Sequence, residues 1–227
     1  LGHVCGAGVG FYLVLALRRR LIDLGLLKNK FAPKSLLDCF AIGTLTDMVP
    51  LIQENRVLVK HGLVGLQNTK RPGLKALLEV LGLSGRPLSA QDVAIRFAPK
   101  LNALSRMETG ILPIDIFLEE SPEKAGVLVK EMLKHNERRL ALQNEAQEEA
   151  LRWVGENPQN GFIWVASKNF HRGIVGLVAT KLANEFNVPA YVGSIGEDGA
   201  ITGSARSPRD YPVSVLQGME AAAESLE

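Results

Sequence analysis

The residues of this 227-residue chain that could do chemistry fall into three groups. The first is the segment Ala41 to Leu51, which holds a single acid, Asp47, among apolar and small residues. Carboxylate oxygens suit hard cations such as Mg²⁺ and Mn²⁺, so Asp47 could be a metal ligand. An isolated aspartate after a helix can equally cap the next turn, and one carboxylate does not make a metal site.

The second group lies between Ala98 and Gly110 and contains Lys100, Asn102 and Arg106. Because Pro99 is expected to end the preceding helix, these side chains are predicted to lie in a loop. Arginine offers a planar fork to phosphate, and an asparagine amide can donate to the remaining oxygens. The segment is therefore either a phosphate-binding loop or an ordinary solvated loop.

The third group combines two pieces near the C-terminus, His171 with Gly173 and Ser204 with Arg206. The first piece stands between a predicted strand and a predicted helix, where backbone N–H groups make a ready anion site. The second piece lies on a predicted strand and offers a hydroxyl and a guanidinium to phosphate. Neither piece matches a dinucleotide turn or a P-loop, and a histidine at a helix start is more often a cap. Together, on one small domain, the two pieces favour an anion pocket.

Capping signals and hydrophobic periodicity predict the elements that position these residues. The first half is predicted to be mainly helical, with helices at residues 9–24, 35–42, 56–66, 74–81 and 89–98. The starts are assigned to capping boxes at Ser35 with Asp38 and at Ser89 with Asp92, and to an N-cap at Asn55. No alternating strand pattern is convincing in this half.

A long polar helix is predicted next. The sequence Ser121-Pro122-Glu123 is a strong helix start, and no further proline occurs before Pro158. The helix could therefore run for about 35 residues, and a polar helix of that length usually bridges domains.

Beyond Pro158 the pattern changes to that of a small α/β domain. Strands are predicted at 162–166, 188–195 and 200–204, and helices at 174–186 and 213–226. A tight turn at residues 197–199 joins the last two strands. The predicted fold class is α/β, with a mainly helical part (1–114), a connecting helix (115–157) and a small α/β domain (158–227).

Composition and charge limit the kinds of partner and location that this chain could have. The net charge of +2 conceals +8 on residues 1–114 and −6 on residues 115–227, which favours an anionic partner for the first part. Cys5 and Cys39 allow one disulfide at most, so we predict a reducing, cytoplasmic location. The longest apolar run, residues 4–17, is shorter than the roughly 20 residues of a membrane span, which argues against a membrane protein.

Six features follow one another along nearly the whole chain: AIGTLTDMVPL, ENRVLVKHGL, PKLNALSRM, the long charged helix, FHRGIVGLVATKL and GSARS. This order resembles the single-strand-specific 5′→3′ exonucleases of the DHH/DHHA1 phosphoesterase family. The resemblance implies that residues 1–114 are the C-terminal part of a DHH domain and that residues 158–227 are a DHHA1 domain. The Asp-rich motifs and the Asp-His-His triplet of that family are absent, and we expect them upstream of Leu1.

The resemblance also implies a chemistry, namely two-metal hydrolysis of phosphodiesters in single-stranded DNA during repair and recombination, with Mn²⁺ or Mg²⁺ as cofactor. Asp47 would be a metal ligand, and Arg106 would offset charge on the scissile phosphate. The implied substrate-binding residues are Lys100, Asn102, Arg106, His171, Gly173, Ser204 and Arg206. The implied partners are single-stranded DNA, a single-strand binding protein and a helicase. With only one metal ligand matched, we expect this chain to be inactive alone.

Two other functions stay open at this point. One is a different DHH/DHHA1 phosphodiesterase that acts on short oligoribonucleotides or cyclic dinucleotides, although such proteins tend to lack the long helix and the ENRVLV-type segment. The other is a non-catalytic scaffold that binds single strands, against which the presence of Asp47 argues mildly.

Overall fold

The computed structural model describes residues 3–27, 31–107, 110–156, 161–212 and 214–223. The chain divides into two compact units, Leu1–Lys134 and His135–Glu227. None of the described helices is long and apolar enough to cross a membrane.

The described residues of the first unit form helices and no strand, as predicted. Their bounds are α1 (Gly6–Asp23), a 3₁₀ turn (Pro33–Leu36), α2 (Leu37–Thr46), α3 (Gln53–Gln67), α4 (Pro72–Val80), a π-helical segment (Asp92–Phe97), α5 (Ala98–Arg106), α6 (Pro113–Leu118) and the start of α7 (Pro122–Glu156).

The core of the first unit is built around α2, which is apolar on nearly all sides and is therefore buried. Phe40 and Ile42 of α2 are almost fully enclosed. The closest neighbour of α2 is α3, which approaches it at Gly62. A Cβ atom at Gly62 would collide with the Leu37 carbonyl oxygen and the Ala41 side chain, so this packing requires glycine.

The starts of α2 and α3 differ from the predicted caps. Asp38 does not pair with Ser35; its Oδ2 accepts hydrogen bonds from Thr69 Oγ1 at 3.1 Å and from Arg71 Nε at 3.3 Å. Asn55 lies inside α3, where its buried side-chain amide donates to the carbonyl oxygens of His3 and Pro50. Both predicted caps are wrong because the partners of these side chains come from other segments, which a local capping pattern cannot reveal.

The capping box at Ser89 and Asp92 is confirmed. The Ser89 N–H donates to Asp92 Oδ2 at 3.0 Å, and the Asp92 N–H donates to Ser89 Oγ at 3.1 Å. The prediction that Pro99 ends this helix is wrong, because Pro99 is the second residue of α5. The backbone changes there from a π to an α turn, so the missing proline N–H falls in a first turn, where no intrahelical acceptor is needed.

Asp92 also forms ion pairs with two arginines at the start of this helical run. Arg86 forms a bidentate pair with it, with Nη2 to Oδ1 at 2.5 Å and Nη1 to Oδ2 at 3.2 Å. Arg96 Nη1 lies 3.6 Å from Asp92 Oδ1. The hydrogen bonds from Arg86, and next those from Ser89, hold the pKa of Asp92 well below its ordinary value of 3.8.

Helix α7 begins and ends close to its predicted limits, at Pro122 and Glu156. Its first turns contribute Val129 and Met132 to the core of the first unit. Its last turns contribute Ala146, Ala150 and Val154 to the core of the second unit. The helix is therefore a structural member of both cores.

The second unit is a small α/β fold. It contains β1 (Ile163–Ser167), α8 (Val175–Phe186), β2 (Ala190–Ile195), β3 (Ile201–Arg206) and α9 (Val215–Ala221). Strands β1 and β2 are parallel, β2 and β3 are antiparallel, and the order is β1-β2-β3. The predicted α/β fold class is confirmed.

The turns at the end of the second unit follow their sequence signals. The β2–β3 turn closes by a 2.8 Å bond from the Gly196 N–H to the Ala200 carbonyl oxygen, with Gly199 at φ +84°. Helix α9 starts from a Ser214 cap and is shorter than predicted within the described residues. Residues 213 and 224–226 of the predicted helix lie outside them.

The close packing of α2 on α3 predicts that Gly62→Ala destabilises the protein. The new methyl group must displace backbone of α2, so we expect the free energy of unfolding to fall by about 1–3 kcal/mol. Gly65→Ala is the matched control in the same helix, since its Cβ would meet only the Asp38 nitrogen at an ordinary 3.6 Å. It should leave stability unchanged or raise it by up to about 1 kcal/mol. Denaturant unfolding followed by circular dichroism measures both, and equal effects would contradict the packing argument.

The lowered pKa of Asp92 predicts a pH-dependent stability. Because the folded-state pKa is depressed, the stabilisation is fully present above the unfolded-state pKa of about 3.9 and is lost as the pH falls below it. We expect acidification from about pH 6 to about pH 3 to lower the unfolding temperature of the parent chain more than that of Asp92→Asn. Arg86→Ala should reduce the pH dependence similarly, because it removes the main partner. Parallel pH profiles of all three proteins would disprove this role.

Candidate nucleic-acid interface

In the second unit, β3 lies against the first turn of α8. Gly176 is the second residue of α8, and a Cβ atom built on it would lie 3.2 Å from Ser204 Oγ and 3.3 Å from Arg206 Nη2. The hydroxyl and the guanidinium of β3 therefore reach the N-terminal turn of α8. The sequence predicted that Ser204 and Arg206 lie on an element adjacent to the start of this helix, and the structure places both side chains at its first turn.

The pleat of β3 explains why these two side chains point the same way. Ser204 and Arg206 are two residues apart, so they project from the same face of the strand. In the antiparallel register Ser204 pairs with Val192 and Arg206 pairs with Ala190, the first residue of β2, and β2 packs against α8. The first N–H groups of a helix have no acceptor within the helix and carry a partial positive charge. Hydroxyl, guanidinium and helix start together form a cationic, donor-rich corner.

His171 and Gly173 lie in the loop that leads from β1 into α8. The Gly173 N–H donates to His171 Nδ1 at 3.0 Å, and the Ile174 N–H donates to the His171 carbonyl oxygen at 3.0 Å. Nδ1 is an acceptor here, so the neutral imidazole carries its proton on Nε2. His171 therefore closes a tight turn in the loop just before α8 and keeps a donor for a ligand.

The residue after β3, Ser207, has an unusual hydroxyl. Its Oγ is shielded from solvent and has no hydrogen-bond partner among the described residues. Buried hydroxyls normally have a hydrogen-bond partner, so a bound water or anion beside Ser207 would satisfy this one.

In the first unit, Lys100, Asn102 and Arg106 lie on α5 and not in the predicted loop. Asn102 and Arg106 are four residues apart, so they share one exposed face of this helix. The opposite face is buried through Leu101 and Leu104. Since Asp92 anchors the helical run that leads into α5, the two polar side chains project from a firmly held helix. Lys100 is half-buried at the edge of the same helix.

Asp47 is the C-cap residue of α2, and its backbone N–H donates to the Gly43 carbonyl oxygen at 3.0 Å. Its side chain is exposed, and Met48 after it adopts φ +54°. Among the described residues no three His, Cys, Asp or Glu side chains group together as metal ligands. Asp47 is thus a single candidate ligand, and the described residues do not by themselves fit a two-metal site.

Cysteine chemistry is not supported in this chain. Both cysteines are free thiols, and Cys5 is buried, with its Sγ 3.6 Å from Thr44 Oγ1. Burial, aided by the neighbouring Asp38 carboxylate, raises the pKa of the Cys39 thiol to about 11. A thiol with such a pKa is protonated at neutral pH and is a poor nucleophile.

One residue that touches the candidate site escaped the sequence reasoning. Glu149 of α7 contacts the β1–α8 loop, accepting from Ser167 Oγ at 2.5 Å and from Asn169 Nδ2 at 3.1 Å. These partners are 18 and 20 residues away, so no local pattern links them. The available signal was an acid directly before Ala150, on the small-residue face that α7 buries.

The chain is similar in sequence to exonucleases named RecJ. It is 34% identical over 214 residues to the single-stranded-DNA-specific exonuclease RecJ of Salmonella typhimurium, covering 90% of this chain and 37% of that protein. It is 36% identical over 211 residues to RecJ of Bacillus subtilis, covering 92% of this chain and 25% of that protein. The chain thus spans about a third or less of these relatives. No family model matches it.

Solved RecJ structures show the same fold. A crystal structure of RecJ from Thermus thermophilus in complex with Mn²⁺ superposes with a TM-score of 0.81 at 31% identity, over 96% of this chain and 31% of that one. A crystal structure of exonuclease RecJ bound to manganese gives 0.77 at 29% identity, over 96% of this chain and 51% of that one. A Thermus thermophilus RecJ structure with Mg²⁺ gives 0.80. Over nearly all of its length, this chain is therefore similar to RecJ exonucleases in both sequence and fold.

Proposed function

We propose that this chain is part of a single-stranded-DNA-specific exonuclease that degrades DNA from the 5′ end during repair and recombination. Within that enzyme, its own contribution is to grip the phosphates of the strand. The observation that carries this proposal is the convergence of Ser204 and Arg206 on Gly176 in the first turn of α8. The names of the related proteins support the substrate class.

The second unit would hold one backbone phosphate. The guanidinium of Arg206 can form charge-assisted bonds to phosphate oxygens, and the Ser204 hydroxyl and the first N–H groups of α8 can satisfy the others. His171 would donate from Nε2. None of these groups reads a base edge, so binding would be independent of sequence.

The first unit would supply a second phosphate-contacting surface. Residues 1–114 carry a net charge of +8, which favours a polyanion. On α5, Asn102 and Arg106 share the exposed face and could meet the strand together. Lys100 lies near the start of the same helix on a different face, and we propose it as a separate contact. Arg106 would lie at the phosphate that is cleaved and offset the charge that develops there.

Metal chemistry belongs to the proposal for the whole protein. RecJ structures have been solved with Mn²⁺ and with Mg²⁺. A pair of such ions would supply a water of lowered pKa and would neutralise the reacting phosphate. Asp47 is the residue of this chain that we propose as a ligand. Its exposed carboxylate at the end of a buried helix is accessible for that role.

Other parts of the proposal concern the surroundings of the enzyme. We propose single-stranded DNA as its macromolecular ligand, and a single-strand binding protein and a helicase as partners that produce or present it. We also propose a cytoplasmic location, which the two free cysteines favour. The assignment of residues 1–114, 115–157 and 158–227 to a DHH part, a connecting helix and a DHHA1 domain stays a prediction.

Replacing Arg206 with alanine should weaken the binding of this chain to oligo-dT by about tenfold, because it removes a charge-assisted bond to phosphate. The slope of log K against log salt should fall by about 0.7, the value expected for one phosphate contact on a single strand. Arg209→Ala is the matched control, since Arg209 is exposed three residues away and carries the same charge. Fluorescence anisotropy at several salt concentrations gives both quantities. Equal losses in the two variants would mean that only net charge matters.

The 227-residue chain alone should release no nucleotides from single-stranded DNA when Mn²⁺ or Mg²⁺ is added. The physical reason is that the part of the chain that the structure describes offers one candidate carboxylate, Asp47, which cannot hold two ions in position. A nuclease assay with 5′-labelled oligo-dT tests this, with a RecJ such as that of Thermus thermophilus as positive control. Metal-dependent release that Asp47→Asn abolishes would show that the chain holds a working metal site and would refute the prediction.

A further inference from the structure

The loop from β1 to α8, residues 168–174, carries His171 and Gly173 and must hold them in place. Two apolar anchors fix it to the core of the second unit, because Phe170 is 2% exposed and Ile174 is fully buried. Apolar contacts fix the depth of a loop in a core, but they are non-directional. The orientation of the peptide groups between the anchors needs directional bonds.

Glu149 supplies those directional bonds. Its Oε1 accepts from Ser167 Oγ at 2.5 Å, and its Oε2 accepts from Asn169 Nδ2 at 3.1 Å. The Asn169 N–H in turn donates to Ser167 Oγ at 3.1 Å. One carboxylate therefore closes a network around the first residues of the loop. Hydrogen bonds to an ionised acceptor are about twice as strong as neutral ones.

The position of Glu149 on α7 makes it a firm support. Ala146 and Ala150, three residues before it and one after it, are buried in the core of the second unit. The glutamate side chain is half-buried. A carboxylate held on such a helix face loses little further freedom when it bonds to the loop.

We propose that Glu149 is a positioning residue for the phosphate site, acting through Ser167 and Asn169 on the loop that presents His171 and Gly173. This inference rests on the proposed function for its effect on binding, whereas its effect on the loop can be measured separately. A carboxylate in this unit has an unfavourable long-range effect on an anionic ligand. Its presence is therefore useful only through the geometry that it imposes.

The charge of Glu149 and its hydrogen bonds are expected to change the affinity for an oligonucleotide in opposite directions. The direction of the change on substitution therefore distinguishes the two effects. Glu149→Gln removes a negative charge, which by electrostatics alone would strengthen the binding of an oligonucleotide. Loss of the network would instead weaken it. Glu148→Gln is the matched control, because Glu148 is the exposed neighbour on the same helix and carries the same charge.

The experiment measures two quantities on the full 227-residue chain. The first is the affinity for oligo-dT, obtained by fluorescence anisotropy. The second is the amide hydrogen exchange of residues 168–174 without DNA. We expect Glu149→Gln to bind oligo-dT about tenfold more weakly and its loop amides to exchange faster, with the affinity of Glu148→Gln unchanged or slightly higher.

A second pair of variants tests whether Ser167 and Glu149 act in one network. Ser167→Ala should also weaken the binding of oligo-dT. The double variant should bind no more weakly than Glu149→Gln, since both changes break the same network.

The outcomes separate this inference from the proposed function. If Glu149→Gln exchanges and binds like Glu148→Gln while Arg206→Ala binds weakly, the positioning role is wrong and the phosphate site stands. If Arg206→Ala binds like the parent while Glu149→Gln loosens the loop and weakens binding, the positioning role stands and the assignment of Arg206 fails. A loop unchanged in exchange refutes the positioning role whatever the affinity.

Discussion

The approach of β3 to the first turn of α8 is the contact on which the proposed phosphate site depends. At Gly176 the distance is so small that a methyl group would press against Ser204 and Arg206. The hydrogen of glycine leaves this space to the hydroxyl and the guanidinium. The donors of the strand and the N–H groups of the helix start thereby point into one corner, although some 30 residues separate them in sequence.

The first unit holds its candidate ligands in a different way. There the polar residues line one face of α5, and the helix is fixed by what precedes it. Asp92 combines a reciprocal cap with Ser89 and a bidentate pair with Arg86, and the wider π turn lets the chain continue through Pro99. π turns are frequent at functional sites. Here the turn serves to carry Asn102 and Arg106 on a helix where the sequence had predicted a loop.

Helix α7 shows how one element serves structure and site together. Its apolar residues join the core of the first unit near Val129 and the core of the second unit near Ala150. Its seven glutamates are nearly balanced by six lysines and arginines, so the helix is densely charged but close to neutral. One of these glutamates, Glu149, accepts hydrogen bonds from Ser167 and Asn169 at the loop that leads to α8. A charged residue of the connecting helix thus has a structural use inside the second unit.

The sequence by itself determined most of the elements and the kinds of ligand. Proline at the start of α7, glycine in the β2–β3 turn and the change of periodicity after Pro158 are local signals, because they act through φ angles and spacing within a few residues. The residue types alone likewise predicted phosphate binding at His171 and Arg206. The order of motifs indicated the resemblance to single-strand-specific exonucleases.

Only the tertiary structure decided which polar side chains meet. Asp38 and Asn55 look like caps in sequence, yet they bond to residues of other segments, Thr69, Arg71 and His3. Glu149 looks like one more surface acid on a charged helix, yet it organises a loop 18 residues away. Such bonds depend on where packing brings distant segments, and packing is set by the whole core at once. For this reason the sequence predicted the candidate ligands, and the fold revealed which residues hold them.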